Sequence, residues 1–306
     1  MSAGFDYGDE NWTVITGCTH SGSPGCDNCY AKAEHDRRHK AYLAGKKMPR
    51  QYAHPFSKIQ FHEDRLDWPL HWLKPRRVLV CFTGDWMHPD VSTGRAREIL
   101  HAMGKASRHT FFTLTKRPQR LAEKFGRGSG CGILETDYPN VINGVTVCNQ
   151  AEADAKIPEL LKVPGRRWIS LEPMLGPVDL CNADGNDSLS ARTDEFWNGV
   201  DALRPQTLDW VAIGCESGPK RRPCRLEWIL DVVQQCKAAR LPCYVKQVPV
   251  PKTKLFFARD DTYFEEDKPW PISPAVWDYL CQQDGWRVSH DVSEWPEPLR
   301  VREMPE

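Results

Sequence analysis

Short apolar segments alternate with longer amphipathic segments over most of the chain. The apolar segments are rich in Val, Ile and Phe and end in small or polar residues; they are residues 77–82, 109–115, 140–147, 167–173, 209–214 and 242–247. The amphipathic segments, typical of helices with one buried face, are residues 93–107, 117–125, 149–162 and 224–240. Because strands that alternate with helices form βαβ units, this pattern predicts a parallel sheet.

The first part of the chain extends the same pattern. WTVITGC (12–18) predicts the first strand and YAKAEHDRRHKAYLAG (30–45) predicts the first helix, which brings the total to about seven strands. In a chain of 306 residues, that total favours a full or partial (β/α) barrel over an open doubly wound sheet. We therefore predict an α/β fold with a barrel over residues 1–250, an insertion at about 45–75, and a C-terminal extension over 251–306 that packs on the barrel.

Polar residues follow the ends of six predicted strands. They are Gly84 with Asp85, Lys116 with Arg117, Thr146 with Asn149, Glu172, Glu216, and Lys246 with Gln247. Ligands bind at the carboxyl ends of the strands in parallel α/β folds, so six such positions together indicate a binding site. A single buried charge there could instead belong to a structural ion pair, and Glu216 with Lys246 is one such possibility.

Composition and charge bear on the possible partners of the protein and on its location. Lys plus Arg number 41 and Asp plus Glu number 41, so overall charge does not favour nucleic acid as a partner. Basic segments at 36–50, 75–77 and 220–225 could nevertheless contact phosphates. No apolar run approaches the roughly 18 residues of a membrane span, and the first residues do not resemble a secretory signal. We therefore expect no membrane partner and a cytoplasmic location.

Twelve cysteines occur in the chain, and a reducing compartment would keep most of them as free thiols. Five of them lie in or beside apolar runs and are predicted to fill the core. They are Cys81, Cys148, Cys215, Cys236 and Cys243.

Three further cysteines share one short loop, GCTHSGSPGCDNCYA (17–31). Thiolates so close together repel one another unless a cation neutralises them. Structural zinc prefers four ligands, and His20 or His35 could join Cys18, Cys26 and Cys29 to complete such a set. A four-iron cluster usually has four cysteines, but a catalytic cluster may use three and leave one iron open. The C-x7-C-x2-C spacing does not decide between zinc, a cluster and unligated thiols.

Three cysteines after the first strand of a β/α barrel resemble the radical S-adenosylmethionine (SAM) enzymes. The resemblance implies a [4Fe-4S] cluster held by Cys18, Cys26 and Cys29, with SAM bound through its amino and carboxylate groups at the fourth iron. It also implies electron transfer from a donor such as flavodoxin or ferredoxin, and cleavage of SAM to a 5′-deoxyadenosyl radical. The usual spacing in that superfamily is C-x3-C-x2-C with an aromatic residue before the last cysteine; here the first gap is longer, and Tyr30 follows Cys29.

Two further segments extend this resemblance. CFTGDW (81–86) is similar to the glycine-rich segment that holds the SAM amino group, which implies roles for Gly84 and Asp85. GVTVCNQ (144–150) lies where ribose and carboxylate contacts usually arise, which implies roles for Thr146 and Asn149. Tyr30 could contact the adenine or pack within the first helix, and Lys116 or Arg117 could pair with a carboxylate.

Five sequence blocks also resemble a family of phage and prophage proteins with no settled general function, from about residue 11 to 250. The blocks are GC…SPGCDNCYA, LTKRPQRL, WISLEPMLGPVDL, AIGCESGPKRRP and LPCYVKQ.

Glu172, Glu216 and Lys246 are the candidate catalytic residues, expected to point into the rest of the barrel mouth. Phages modify their DNA to resist restriction, so we expect a modified pyrimidine base in phage DNA as the substrate and an isomerase-like rearrangement as the reaction. Trp86 and His88 could stack an extruded base. Two alternatives stay open: a radical isomerase or lyase that acts on a free amino acid or nucleotide, and a non-enzymatic zinc-stapled barrel that binds DNA or a protein.

Overall fold

A computed structural model describes residues 6–127, 129, 138–181, 208–252, 274–283 and 285–305. The strands are β1 (Glu10–Trp12), β2 (Ile15–Thr16), β3 (Gln60–Phe61), β4 (Arg77–Val80), β5 (Thr110–Thr113), β6 (Val141–Thr146), β7 (Arg166–Leu171), β8 (Trp210–Gly214), β9 (Cys243–Pro251) and β10 (Trp286–Ser289). The helices are α1 (Tyr30–Leu43), α2 (Trp68–His71), α3 (Thr93–Lys105), α4 (Pro118–Phe125), α5 (Gln150–Leu161), α6 (Leu226–Ala238) and α7 (Pro274–Gln283).

Eight of these strands form one sheet in the order β1-β4-β5-β6-β7-β8-β9-β10. The pairs from β1 to β9 are parallel, and β10 pairs with β9 in the antiparallel direction. The predicted α/β class with a parallel sheet is confirmed. Each predicted strand from 77–82 onward starts within two residues of an observed strand, because a short apolar segment buried on both faces has few alternative positions.

The predicted first strand is wrong as a single element. Residues Glu10–Trp12 pair with β4, whereas Ile15–Thr16 form β2 and pair with β3 in a separate two-stranded sheet. The partner strand β3 comes from the predicted insertion at 45–75, and His62 in that segment also donates its backbone N–H to the carbonyl of Val14 at 2.9 Å. The backbone groups of residues 14–16 are therefore satisfied outside the main sheet.

The described part of the C-terminal segment packs against the sheet. Strand β9 continues to Pro251, and β10 pairs along it from Trp286 opposite Pro251 to Ser289 opposite Val248. The indole N–H of Trp277 on α7 donates to the carbonyl of Pro249 at 2.9 Å. The sheet consequently gains an eighth strand that the sequence pattern did not predict.

Alternate residues of the parallel strands face two different clusters. On one face, apolar side chains of the strands pack against buried residues of α3, α4, α5 and α6, and Val78 with Val80 belongs to this cluster. On the other face, Leu79 joins a cluster of aromatic rings that includes Trp168 and Trp210, whose centroids are 5.0 Å apart. The helices whose buried residues enter a cluster therefore cover one face of the sheet.

The aromatic cluster depends on one glycine. The indole N–H of Trp168 donates to the carbonyl of Thr113 at 2.9 Å across β6, and a Cβ at Gly144 would overlap that indole. The five cysteines predicted to lie in the core are all buried, which confirms that prediction. In the part of the chain that the structure describes, no helix is both long and apolar enough to span a membrane.

Candidate functional site

A cavity opens at the carboxyl ends of the parallel strands, above the aromatic cluster. Its volume is about 1030 Å³, counting space open to solvent, which suits a small molecule or cofactor. The residues predicted from sequence that line it are Cys18, Cys26, Cys29, Tyr30, Gly84, Asp85, Lys116, Arg117, Thr146, Glu172, Glu216, Lys246 and Gln247. Asn149 does not line this cavity: it precedes α5, and its side-chain oxygen accepts from the N–H of Glu152 at 3.0 Å as a helix cap.

Cys18, Cys26 and Cys29 all reach the cavity from one loop, residues 17–29, which we call the cysteine loop. Within it, Ser23 caps a 3-10 turn over Pro24–Cys26, and Cys29 caps the start of α1. At its other end, the N–H of Cys18 donates to the carbonyl of Phe56 at 2.9 Å. Local turns and a bond to the insertion therefore contribute to the course of the loop.

The Cys18 thiol lies in a charged environment. Burial and the nearby Asp85 carboxylate raise the pKa of Cys18 to about 11, although Arg117 opposes the shift and donates to the Cys18 sulfur at 3.6 Å. At neutral pH this thiol is protonated in the metal-free protein. Metal binding would have to displace the proton, as it does at thiolate sites generally.

The two candidate fourth ligands for zinc are engaged elsewhere. His20 pairs with Asp27 at 3.0 Å, and buried His35 bonds to the carbonyl of His54 at 2.9 Å. Among the described residues, no group of three or more His, Cys, Asp or Glu side chains is close enough to hold one metal ion.

Asp85 is fixed by several bonds at the wall of the cavity. It is 4% exposed, its carboxylate pairs with Arg117 at 2.6 Å, and it accepts from the Thr115 hydroxyl at 2.7 Å. Arg117 also donates to the carbonyl of Thr19 at 2.8 Å. Asp85 therefore orients an arginine that contacts the first part of the cysteine loop. Sequence reasoning named Arg117 as a possible carboxylate partner, and its partner is a carboxylate of the protein itself.

Gly84 brings two backbone segments into contact beneath the cysteine loop. It forms an isolated parallel bridge with Gly17. A Cβ at Gly84 would lie 2.6 Å from the carbonyl oxygen of Ile15, closer than real Cβ atoms approach backbone. The glycine is thus required by packing, whatever else it contacts.

Glu172 and Lys246 form an ion pair in the cavity, with Nζ 2.9 Å from Oε1. The Glu172 Oε1 atom is buried and has no partner in hydrogen-bond geometry, whereas Oε2 accepts from Tyr7 at 3.4 Å and Ser170 at 3.3 Å. Burial, and then the charge of Glu172, raise the pKa of Tyr7 well above its ordinary value, so the phenol keeps its proton and donates it. The suggested pair of Glu216 with Lys246 is wrong, because Lys246 pairs with Glu172.

Glu216 pairs instead with Arg222, at 2.6 Å. Burial by itself would raise the pKa of Glu216, but hydrogen bonds from Arg222 and from the side chain of Asn28 outweigh it and lower the pKa. Sequence reasoning missed Asn28 and read Arg222 as part of a phosphate-binding segment. Charge alone could not show that Arg222 folds inward.

The other predicted cofactor residues have varied surroundings. The Tyr30 hydroxyl donates to the carbonyl of Phe82 at 2.7 Å while about half of the residue is exposed. Burial of the hydroxyl raises the pKa of Tyr30. Lys116 and Thr146 both line the cavity, and the carbonyl of Thr146 accepts from Lys156 at 2.9 Å.

The predicted base-stacking residues are not available for that role. Trp86 is fully buried and stacks on Phe125 with centroids 5.8 Å apart. His88 is 3% exposed and bonds to the Thr19 hydroxyl at 2.8 Å. Both were expected to stack an extruded base, but both are buried in the protein. That prediction is wrong.

Most of the predicted phosphate-binding arginines pair with acids. The pairs are Arg37 and Arg38 with Glu34, Arg76 with Glu10, Arg77 with Asp9, Arg222 with Glu216, and Arg225 with Glu227. Arg77 begins β4, so segment 75–77 lies at the edge of the sheet opposite the cavity. Ion pairs are not seen, within the described residues, for Lys40, Lys46, Lys47 and Arg50.

The chain belongs to the DUF5131 family, which is described only as protein of unknown function and whose model matches residues 2–259. A search of curated proteins found no match. A search of solved structures also found none.

Proposed function

We propose that this protein is a radical SAM enzyme that carries a [4Fe-4S] cluster on Cys18, Cys26 and Cys29. The observation that carries the proposal is that all three thiols line one cavity together with Gly84 and Asp85, at the carboxyl ends of a parallel sheet. The sheet would then be a partial barrel of the radical SAM type, since an open doubly wound sheet has helices on both faces and here α3 to α6 pack on one.

In this assignment the protein supplies binding, orientation and exclusion of water. When bound, the cluster and SAM would supply a 5′-deoxyadenosyl radical after electron transfer from a donor such as flavodoxin or ferredoxin. Asp85, held by Thr115 and Arg117, would accept from the SAM ammonium. Lys116 and Thr146 line the same cavity and would contact the carboxylate and ribose.

Glu172 and Lys246 are the proposed substrate-binding pair. A carboxylate and an ammonium side by side at 2.9 Å can exchange partners with a substrate that carries both an amino and a carboxyl group. The Glu172 Oε1 atom is buried, and its neighbour Lys246 Nζ is not in hydrogen-bond geometry with it, so this oxygen would accept from the substrate ammonium. We therefore propose a substrate with an amino-acid-like group, and a rearrangement or bond cleavage next to it.

A modified pyrimidine in phage DNA is the proposed carrier of that group. The support for a polymer is the segment 40–50, whose Lys40, Lys46, Lys47 and Arg50 are not seen in ion pairs within the described residues and could contact phosphates. A free amino acid or nucleotide is the second candidate. It is favoured by the pairing of the other two basic segments with acids and by the burial of Trp86 and His88.

The first experiment is metal and sulfide analysis of protein purified without oxygen. We expect iron and sulfide with little zinc, and 5′-deoxyadenosine after reduction with SAM. Replacing any one of Cys18, Cys26 and Cys29 by Ala should abolish iron loading. Cys236→Ala, a buried control on α6, should load normally. Stoichiometric zinc without 5′-deoxyadenosine would instead identify a zinc-stapled binding protein.

The second experiment separates the two substrates. Reduced enzyme and SAM are incubated with deuterium-labelled modified phage DNA, and in parallel with the labelled free nucleoside and free amino acid. Label in 5′-deoxyadenosine from DNA supports the polymer. Label from the free compounds alone identifies the small-molecule reaction.

A further inference from the structure

The loop after β8, residues 215–225, reaches the cysteine loop at the cavity. Four strands separate β1 from β8 in the sheet, so no strand pairing brings these two loops together. Side chains join them instead. Arg222 donates to the carbonyl of Pro24 at 2.9 Å and pairs with Asp27 at 3.1 Å, and Asn28 donates to the carbonyl of Lys220 at 2.9 Å.

Glu216 is the centre of these contacts. Its Oε1 accepts from Arg222 Nη2 at 2.6 Å, and its Oε2 accepts from Arg222 Nε at 2.9 Å. Oε2 also accepts from the backbone N–H of Arg222 at 2.7 Å and from Asn28 Nδ2 at 3.1 Å. The two side-chain bonds form the bidentate arginine–carboxylate geometry, which is strong and directional. Because the carboxylate is only 6% exposed, releasing Arg222 would leave a buried charge with fewer donors.

We propose that Glu216 and Arg222 form a clasp that holds the cysteine loop against the β8 loop, so that the three thiols are positioned before any metal binds. Glu216 is then a positioning residue, not the acid–base group that its place at a strand end suggests. To act as a base in the reaction, Glu216 would first have to give up three bonds from Arg222 and one from Asn28. The identity of the group that the three thiols bind rests on the proposed function. The clasp itself does not, because its contacts are between residues of the protein.

The composition of the cysteine loop explains why it needs such a device. Residues 21–25 read SGSPG, and small residues with two glycines have many backbone conformations to lose. The backbone bonds within the loop, such as Cys26 N–H to Ser23 at 2.9 Å and Cys29 N–H to Cys26 at 3.3 Å, are local. Arg222 ties the middle of the loop, at Pro24 and Asp27, to a distant strand end.

The test is hydrogen exchange of the metal-free protein, followed on peptides that cover the cysteine loop. Arg222→Ala and Glu216→Gln should each speed exchange there about tenfold or more, the effect of losing roughly 1.4 kcal/mol of local protection. Exchange in α3 should not change. Arg225→Ala is the matched control, because Arg225 pairs with Glu227 on the surface at 3.0 Å. Arg222→Lys keeps the positive charge but cannot form the bidentate bonds to Glu216, so the exchange rate of the cysteine loop should be intermediate.

Unchanged exchange of the cysteine loop in both Arg222→Ala and Glu216→Gln would overturn the clasp. If Arg222→Ala does not fold, Arg222→Lys carries the test, and a wild-type exchange rate in that variant and in Glu216→Gln is the contrary result. The iron-loaded protein gives a second readout. An iron chelator should remove iron from both clasp variants about tenfold faster than from wild type. The pH dependence of the enzymatic rate should keep its shape in both variants. A change of that pH dependence in Glu216→Gln alone would identify Glu216 as the base. Absence of iron from wild type would remove the proposed function and leave the exchange test intact.

Discussion

The ion pair of Lys246 with Glu172 allows a quantitative prediction. Both side chains are nearly buried, at 11% and 13% exposed, so Lys246→Met would leave a carboxylate whose hydrogen-bond donors among the described residues are Tyr7 and Ser170. Removal of one partner of a buried pair costs roughly 3–5 kcal/mol, and the residual exposure favours the lower end, about 3 kcal/mol. With about 2.1 cal/mol/K per residue for the unfolding entropy, that loss lowers the Tm of this chain by about 5 °C.

The assay is urea unfolding at pH 7, followed by circular dichroism, for both single variants and the double variant Lys246→Met with Glu172→Gln. The double variant has no unpaired charge, so it should recover more than half of the loss. The matched control is Lys162→Met, which breaks a pair with Glu159 in which the lysine side chain is 57% exposed, and should cost less than about 1 kcal/mol. The reasoning fails if Lys246→Met costs no more than the control, or if the two single losses simply add.

Three further predictions concern single residues, two of them in the wall of the cavity. Asp85→Ala should weaken SAM binding about ten- to a hundredfold, the effect of one charge-assisted hydrogen bond, and an unchanged affinity by calorimetry would remove the role given to it. Burial lowers the pKa of His62 from 6.5 to about 4, so the unfolded chain takes up the proton first and the stability of the fold should decrease as the pH drops from about 6.5 to about 4. His62→Asn should make stability less dependent on pH in that range. Urea titrations that give the same pH dependence for the variant and the wild type would contradict the lowered pKa of His62. Gly84→Ala places a Cβ 2.6 Å from the Ile15 carbonyl oxygen and should cost roughly 1–3 kcal/mol, which a wild-type unfolding midpoint would exclude.

The strands after residue 77 could be predicted because each is short, apolar and bounded by polar residues, and because burial on both faces leaves few alternative positions. The split of the first strand could not. Whether Ile15–Thr16 pair with β4 or with β3 depends on where residues 60–61 come to lie. This pairing depends on residues far apart in the chain, and the sequence of neither segment indicates its partner.

The convergence of strand ends on one cavity could be predicted, but the pairing of their charges could not. Lys246 on β9 and Glu172 after β7 meet although β8 lies between them. They meet because β8 ends at Gly214, where a Cβ would lie 2.7 Å from Glu172 Oε1. Their contact therefore depends on the absence of a side chain at a third position, which no pairwise reading of acids and bases would reveal.

Two arginines beside the cavity contact different parts of the cysteine loop. Arg117, fixed by Asp85, contacts Cys18 and Thr19 at one end of the cysteine loop. Arg222, fixed by Glu216, contacts Pro24 and Asp27 further along.

In both cases a buried carboxylate orients an arginine, and the arginine holds the cysteine loop by its backbone carbonyls. A glutamate or aspartate at a strand end need not contact a substrate, because it can equally serve to orient an arginine that holds a nearby loop. Glu172 differs, since its bonds run to Tyr7, Ser170 and Lys246, and these three residues lie outside the cysteine loop. We therefore expect the substrate contacts at Glu172 and Lys246. Glu216 should affect the reaction through the geometry of the thiols, and Asp85 both through that geometry and through its proposed bond to the SAM ammonium.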